Sequence, residues 1–219
     1  MIQIENLEFS YTSEAFMRIP RFKIESGEKV FLAGPSGSGK TTFLEIVSGI
    51  LQAEKGKCLV VGEDFVRLNP TERDRVRKKS MSLIFQNFNL IPYLSVEKNI
   101  LLPFWLGFQD ERTPEEIQKQ MLELLEKLGI EKLRLSSVTQ LSQGQAQRVA
   151  AARAFLKKPK ILLADEPISA LDYDHRDQFL KILFDLCTTH QTSLIFVSHD
   201  RSLERLFHRT QSVLEWRVK

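Results

Sequence analysis

The chain has 219 residues, 42% of them hydrophobic and 27% charged, which suits an ordinary soluble globular protein with a core large enough to need no disulfide staples. Disordered, fibrous and membrane-embedded classes are excluded by that balance. A net charge of +3 is too small to imply nucleic acid, and Cys58 and Cys187 have no partner spacing for zinc and read as reduced cytosolic thiols.

No internal repeat, low-complexity tract or Gly/Ser linker occurs, and the longest nearly apolar run, Ile100 to Phe108, is interrupted by Pro103 and Gly107 and far too short for a membrane span. The opening MIQIENLEFSY carries Glu5 and Glu8 and no basic segment leading into an apolar one, so no secretory signal is expected. Ile2, Ile4, Leu7 and Phe9 alternate with one slip, and with Phe22 to Ile24 and Lys57 to Val61 they predict strands of a small sheet. Four later blocks, EKVFLAG, MSLIFQ, KILLADE and SLIFVSH, are runs of large apolar residues that stop abruptly at Gly, Gln, Asp-Glu or His. Such blocks suit strands buried on both faces of a parallel sheet, whose ligands sit beyond the carboxyl ends of the strands.

The middle of the chain is helical in pattern. Thr113, Pro114 and Glu116 form a capping box with proline at the first helical position, and Ile117, Met121, Leu124, Leu125 and Leu128 follow at helical spacing up to Gly129. Ser142 and Gln145 announce a second helix that runs to about Lys158. The expected organisation is a single domain over 1–219: an α/β core with its β subdomain over 1–86 and 158–219, and an inserted helical subdomain over 87–157. Arg73, Arg75, Arg77, Lys78 and Lys79 are interleaved with Glu72 and Asp74 and are read as a solvated helix face, not a patch for nucleic acid or lipid headgroups.

Gly34, Pro35, Ser36, Gly37, Ser38, Gly39, Lys40, Thr41 and Thr42 fit G-x-x-x-x-G-K-[ST] between an expected strand and the helical pattern Phe43, Leu44, Ile46, Val47. Glycines let the backbone fold around phosphate oxygens, so that NH groups and the positive end of the helix converge on them. Lys40 is expected at the β and γ phosphates and the Thr41 hydroxyl on Mg²⁺. Ile161 to Ala164 end in Asp165, suited to a second magnesium contact, and Glu166 is suited to activating water because successive strand residues point oppositely. His199, after Leu194 to Ser198, ends another such strand and is placed to reach a γ-phosphate.

Residues 141 to 153, LSQGQAQRVAAAR, closely resemble the signature segment of ATP-binding cassette ATPases. In the same order Tyr11 is similar to the aromatic that stacks on adenine, Gly34 to Thr42 to the Walker A loop, and Gln86 to the Q-loop contact with Mg²⁺ and γ-phosphate. Asp165 and Glu166 resemble the Walker B pair, Ser169 to Asp172 the D-loop, and His199 the switch histidine, so that the likeness covers essentially the whole chain. It implies a P-loop NTPase fold, in which a parallel sheet flanked by helices is joined by a small antiparallel β subdomain and the helical signature subdomain. ATP and Mg²⁺ are the implied cofactors, and the implied activity is ATP hydrolysis.

The resemblance also implies partners. Ser142, Gln143, Gly144 and Gln145 of one copy would close on the nucleotide of a second copy in a head-to-tail dimer. A separate membrane permease would hold the protein on the cytoplasmic face of the cell membrane. The aromatic-rich stretch after Gln86 would offer that permease a groove, and NLIPYLSVEKNILLP with the preceding NPTERDRVRKK is similar to the branch serving lipoprotein release, macrolide-type export and bacterial cell division. Gln143 departs from the family's usual glycine, and Ile168 from the threonine after Asp-Glu-Pro. The competing functions are a soluble cassette ATPase acting on nucleic acid or ribosomes and a regulatory module that binds nucleotide without turnover. The retained Glu166 and His199 and the lack of long coiled coils or tandem cassettes stand against them.

Overall fold

The slip in the first alternating run is a bulge. Strand β1 (Ile2–Ser10) buries Ile2, Ile4, Leu7 and Phe9, and the pattern changes phase at Asn6, which takes a left-handed φ of 46°. The partner strand answers there with Gly56, where a side chain would collide with the Asn6 backbone. In the computed structural model, which describes residues 1–12, 14–169 and 173–218, β1 is the centre of an antiparallel sheet. It pairs with β2 (Ala15–Ile24) on one side and β4 (Lys55–Val60) on the other, and β4 continues to β5 (Glu63–Asp64). Sequence pattern gave only the end of β2, because Pro20 and the arginines around it break the alternation. An edge strand tolerates such a proline.

The four apolar blocks form β3 (Lys29–Ala33), β6 (Met81–Ile84), β7 (Ile161–Asp165) and β8 (Ser193–Val197), joined by β9 (Arg209–Ser212) in a parallel sheet of order β6-β7-β8-β3-β9. Their period of two sorts the side chains between two cores. Phe31, Leu162, Ala164, Leu194 and Phe196 face one apolar cluster, whereas Val30, Leu32, Ile161, Leu163, Ile195 and Val197 face the other. The second cluster takes in the antiparallel sheet and α1 (Lys40–Val47). The first takes in α3 (Val96–Trp105), α4 (Pro114–Lys127) and α5 (Gln143–Leu156), which lie in the chain between β6 and β7, and α6 (Tyr173–Thr189). The helical stretch therefore buries its apolar face directly on the sheet. Ile168 lies in this cluster, 4% exposed, so its place in the Asp-Glu-Pro turn is a packing position.

The caps anticipated from sequence are present. Thr113 with Glu116 and Ser142 with Gln145 form reciprocal capping boxes at the starts of α4 and α5. One expectation fails: the basic run belongs to α2 (Pro70–Ser80), and Arg73 on it is buried, not solvated. Its guanidinium donates to the carbonyls of Gly49 at 3.2 Å and Leu68 at 2.8 Å, ending a loop whose backbone has no sheet to satisfy it. Arg73→Ala should lower unfolding free energy by about 2–4 kcal/mol, read from denaturant midpoints, since it leaves carbonyls unpaired around a void. A loss under about 0.5 kcal/mol would show the loop to be held by other contacts. Cys58 and Cys187 are free and buried, which pushes both thiols up to about 12 and keeps them protonated.

Candidate functional site

Four strand ends of the parallel sheet, those of β3, β6, β7 and β8, supply the site. The segment from Gly34 to Gly39 links β3 to α1, and its last residue, Gly39, takes a φ of 100°. A side chain there would meet Met17 Cε at 2.9 Å and Phe16 Cε1 at 3.2 Å, so the loop lies flat on the start of β2. Lys40 is 8% exposed and curls back inside the loop, donating to the carbonyls of Gly34 at 2.7 Å and Pro35 at 3.0 Å. Ser38 Oγ is buried without a hydrogen-bond partner, which is uncommon for a buried hydroxyl and suits a cradle that takes a ligand acceptor.

Strands β7 and β8 are neighbours, with Asp165 in register with Val197, so the residues just beyond them are brought side by side. Asp165 Oδ2 accepts from the Thr41 hydroxyl at 2.9 Å. The alternation expected for Asp165 and Glu166 is interrupted: β7 ends at Asp165, and Glu166 turns off the strand with a φ of 47° while its N–H still donates to the Val197 carbonyl at 3.0 Å. This turn, not the pleat, separates the two carboxylates. Glu166 Oε2 lies 3.0 Å from His199 Nδ1, and the glutamate side chain is 14% exposed while the histidine is mostly open to solvent.

These groups share a cleft of about 490 Å³ lined by the phosphate-type loop, Lys40, Thr41, Thr42, Gln86, Asp165, Glu166 and His199. Gln86 reaches it from the loop after β6. Tyr11 does not line the cleft itself but is tied to its wall: its hydroxyl is 2.9 Å from Thr42 Oγ1, and its exposed ring makes edge contacts with Phe9 and Phe16. Phe16 lines the cleft and belongs to no motif; only the structure identifies it. Asp172 falls outside the described residues.

Ser142, Gln143 and Gly144 do not enter this cleft. Ser142 and Gln143 are exposed and Gly144 is half-buried at the start of α5. Ser142 and Gly144 line a separate pocket with Ile130, Arg148 and Phe179, sharing no residue with the first.

A parallel sheet whose loop G-x-x-x-x-G-K-T opens a helix beside an acidic pair defines a P-loop nucleoside triphosphatase. The family model described as "ABC transporter" matches residues 18–169, and the chain belongs to that family, as an ATP-binding ATPase subunit. It is 34% identical over 203 residues to the ABC transporter ATP-binding protein YxdL of Bacillus subtilis, covering 91% of this chain and 78% of that one. Similarity to the lipoprotein-releasing system ATP-binding protein LolD of Psychrobacter arcticus is 35% over 186 residues, covering 85% and 81%. Against the spermidine/putrescine import ATP-binding protein PotA of Legionella pneumophila, 36% identical, the chain spans only 53% of the relative's length. The dimeric structure of the bacterial ABC transporter cassette MJ0796 superposes with a TM-score of 0.84 at 31% identity, covering 97% of this chain and 94% of that chain. That cassette is also known as a dimer in a post-hydrolysis state bound to ADP and Pi.

Proposed function

We propose that two copies of this chain close head to tail on two magnesium nucleotides and that hydrolysis reopens them, driving a separate membrane permease. The observation that carries this reading is the separation of the two anion-facing surfaces: the Lys40 loop and the Ser142 turn line different pockets of one chain. The N-terminus of α5 ends in a capped turn whose remaining NH groups and dipole face outward, so a nucleotide held by one copy is offered to Ser142, Gln143, Gly144 and Gln145 of the other. The dimeric state of MJ0796 supports the pairing of two copies. Within the copy, 1–86 and 158–219 form the nucleotide-holding core and 87–157 the helical subdomain that presents the signature; Asp172 is assigned to the contact between copies.

Residue roles follow from the cleft. Lys40 exchanges the Gly34 and Pro35 carbonyls for phosphate oxygens, and the loop from Gly34 to Thr42 cradles the triphosphate. Tyr11 supports adenine with its exposed ring. Thr41 and Asp165 present two hard oxygen donors 2.9 Å apart, and with Gln86 they suit Mg²⁺, an ion that keeps several waters and takes few protein ligands. Bound there, the ion would neutralise charge building up on the phosphoryl oxygens. Glu166 accepts the proton of the attacking water, and His199 holds that carboxylate and faces the γ-phosphate.

For the permease, the structure offers an apolar groove of about 420 Å³ between α2, β6 and α3, lined by Phe85, Leu102, Pro103, Leu106 and Phe108 and rimmed by Arg77 and Lys157. Trp105 and Leu106 remain exposed beside it. No helix among the described residues is long and apolar enough to cross a membrane, so attachment to the inner face of the cell membrane runs through that partner. The likeness to the lipoprotein-releasing system ATP-binding protein LolD supports the lipoprotein-release branch. Fractionation of cells carrying the tagged chain tests this: it should sediment with membranes and copurify with one integral membrane protein, and detergent should release the two together. Recovery only in the supernatant, with no membrane partner, would contradict the permease.

A further inference from the structure

A segment outside every recognised motif is fastened to the phosphate loop from two sides. Residues 216 to 218 run antiparallel to the start of β2, with Arg18 donating to the Trp216 carbonyl at 2.7 Å, Val218 donating to the Phe16 carbonyl at 3.3 Å, and Met17 bridging Arg217. Trp216 is 3% exposed and packs on Phe43 of α1 at 4.8 Å and edge-on against Phe22 at 5.3 Å. It therefore bears on the helix that the loop opens into. The next residue turns outward: Arg217 lays its guanidinium over the Phe16 ring at 5.7 Å and donates to the carbonyl of Gly37 at 3.1 Å.

Gly37 is the exposed tip of the loop, at a φ of 71°, and as glycine it is the residue least able to hold its own conformation. A trans peptide points its C=O and N–H in opposite directions, so fixing the Gly37 carbonyl on Arg217 turns the Ser38 N–H the other way. There it meets the Pro35 carbonyl at 3.2 Å, on the side where Lys40 also bonds Pro35. That is the concave side of the loop. Phe16, pinned under the same guanidinium, forms the cleft wall next to Tyr11.

We propose that Arg217 is a positioning residue for the nucleotide: it sets the orientation of the Gly37–Ser38 peptide and the Phe16 wall before the phosphates arrive. This rests on the reading of residues 34 to 42 as the phosphate cradle. An ordering device of this kind acts on binding, because a loop already wrapped around phosphates no longer needs the outside contact. The effect belongs in affinity and KM, with kcat at saturating ATP left in place.

The test is calorimetric titration of the full chain with MgADP, for the wild type, Arg217→Ala and Arg217→Lys, alongside KM and kcat for ATP and the melting temperature without nucleotide. Arg217→Ala should weaken MgADP and raise KM by about three- to tenfold with kcat within about twofold, and Arg217→Lys should recover most of the loss, since an ammonium still donates to Gly37 and still sits over Phe16. The melting temperature should barely move, the side chain being exposed. Alanine and wild type with equal affinity would overturn the proposal, as would a lysine variant no better than alanine or a fall in kcat matching the rise in KM. Failure of the wild type to bind MgADP would instead remove the phosphate-cradle reading beneath it.

Discussion

Glu166→Gln should slow ATP hydrolysis by about 10²- to 10⁴-fold, measured as phosphate release, while nucleotide binding persists. The substitution keeps the shape of a side chain that is 14% exposed and set in a left-handed turn, and its amide still reaches His199. What it removes is the carboxylate charge, and with it the basicity that takes a proton from water. Because Glu166 is anchored through its own N–H to Val197, the variant should not disturb the strand ends or the Thr41 to Asp165 contact. Release at more than about a tenth of the wild-type rate would mean that another group acts as base.

Lys40→Ala should weaken ATP by about 100-fold or more and take turnover with it. Lys40 is the only cation between Gly34 and Thr42, and its ammonium sits inside the loop on two backbone carbonyls. Charge-assisted hydrogen bonds contribute about 1.5–3 kcal/mol each, and two phosphate contacts at that strength account for the loss. Binding of a fluorescent ATP analogue reads it directly. Affinity within about threefold of wild type would remove the assignment of the loop, since an exposed surface lysine would behave in that way.

The site was more legible than the frame that holds it. Chemistry forces particular residues into order along the chain, so Gly34 to Thr42, Asp165, Glu166 and His199 could be named from their letters, and the fold brings most of that loop and all three later residues into one cleft. The apolar blocks of β3, β6, β7 and β8 were readable because both faces of those strands are buried. Strand β9 was not: RTQS lies at the sheet edge and buries none of its side chains. Arg73 misled for the opposite reason, since an arginine among alternating charges gives no sign that its guanidinium will end a buried loop. Phe16 and Arg217 stand about 200 residues apart, and only pairing of their backbones puts them over the loop tip; no spacing rule reports such a contact.

The departure at Gln143 has a local physical account. It occupies the first helical position of α5 and is exposed, while the cap itself is made by Ser142 and Gln145, so a side chain replaces glycine without disturbing the capping box. Ser142 and Gly144 keep their place at the outward-facing turn.

Light scattering of the purified Glu166→Gln chain in saturating MgATP is the most direct measurement of the shared site. The account predicts twice the monomer mass, reverting to the monomer mass on removal of Mg²⁺ or on exchange of Ser142 for arginine; a particle of monomer mass with its nucleotide cradle filled would contradict it.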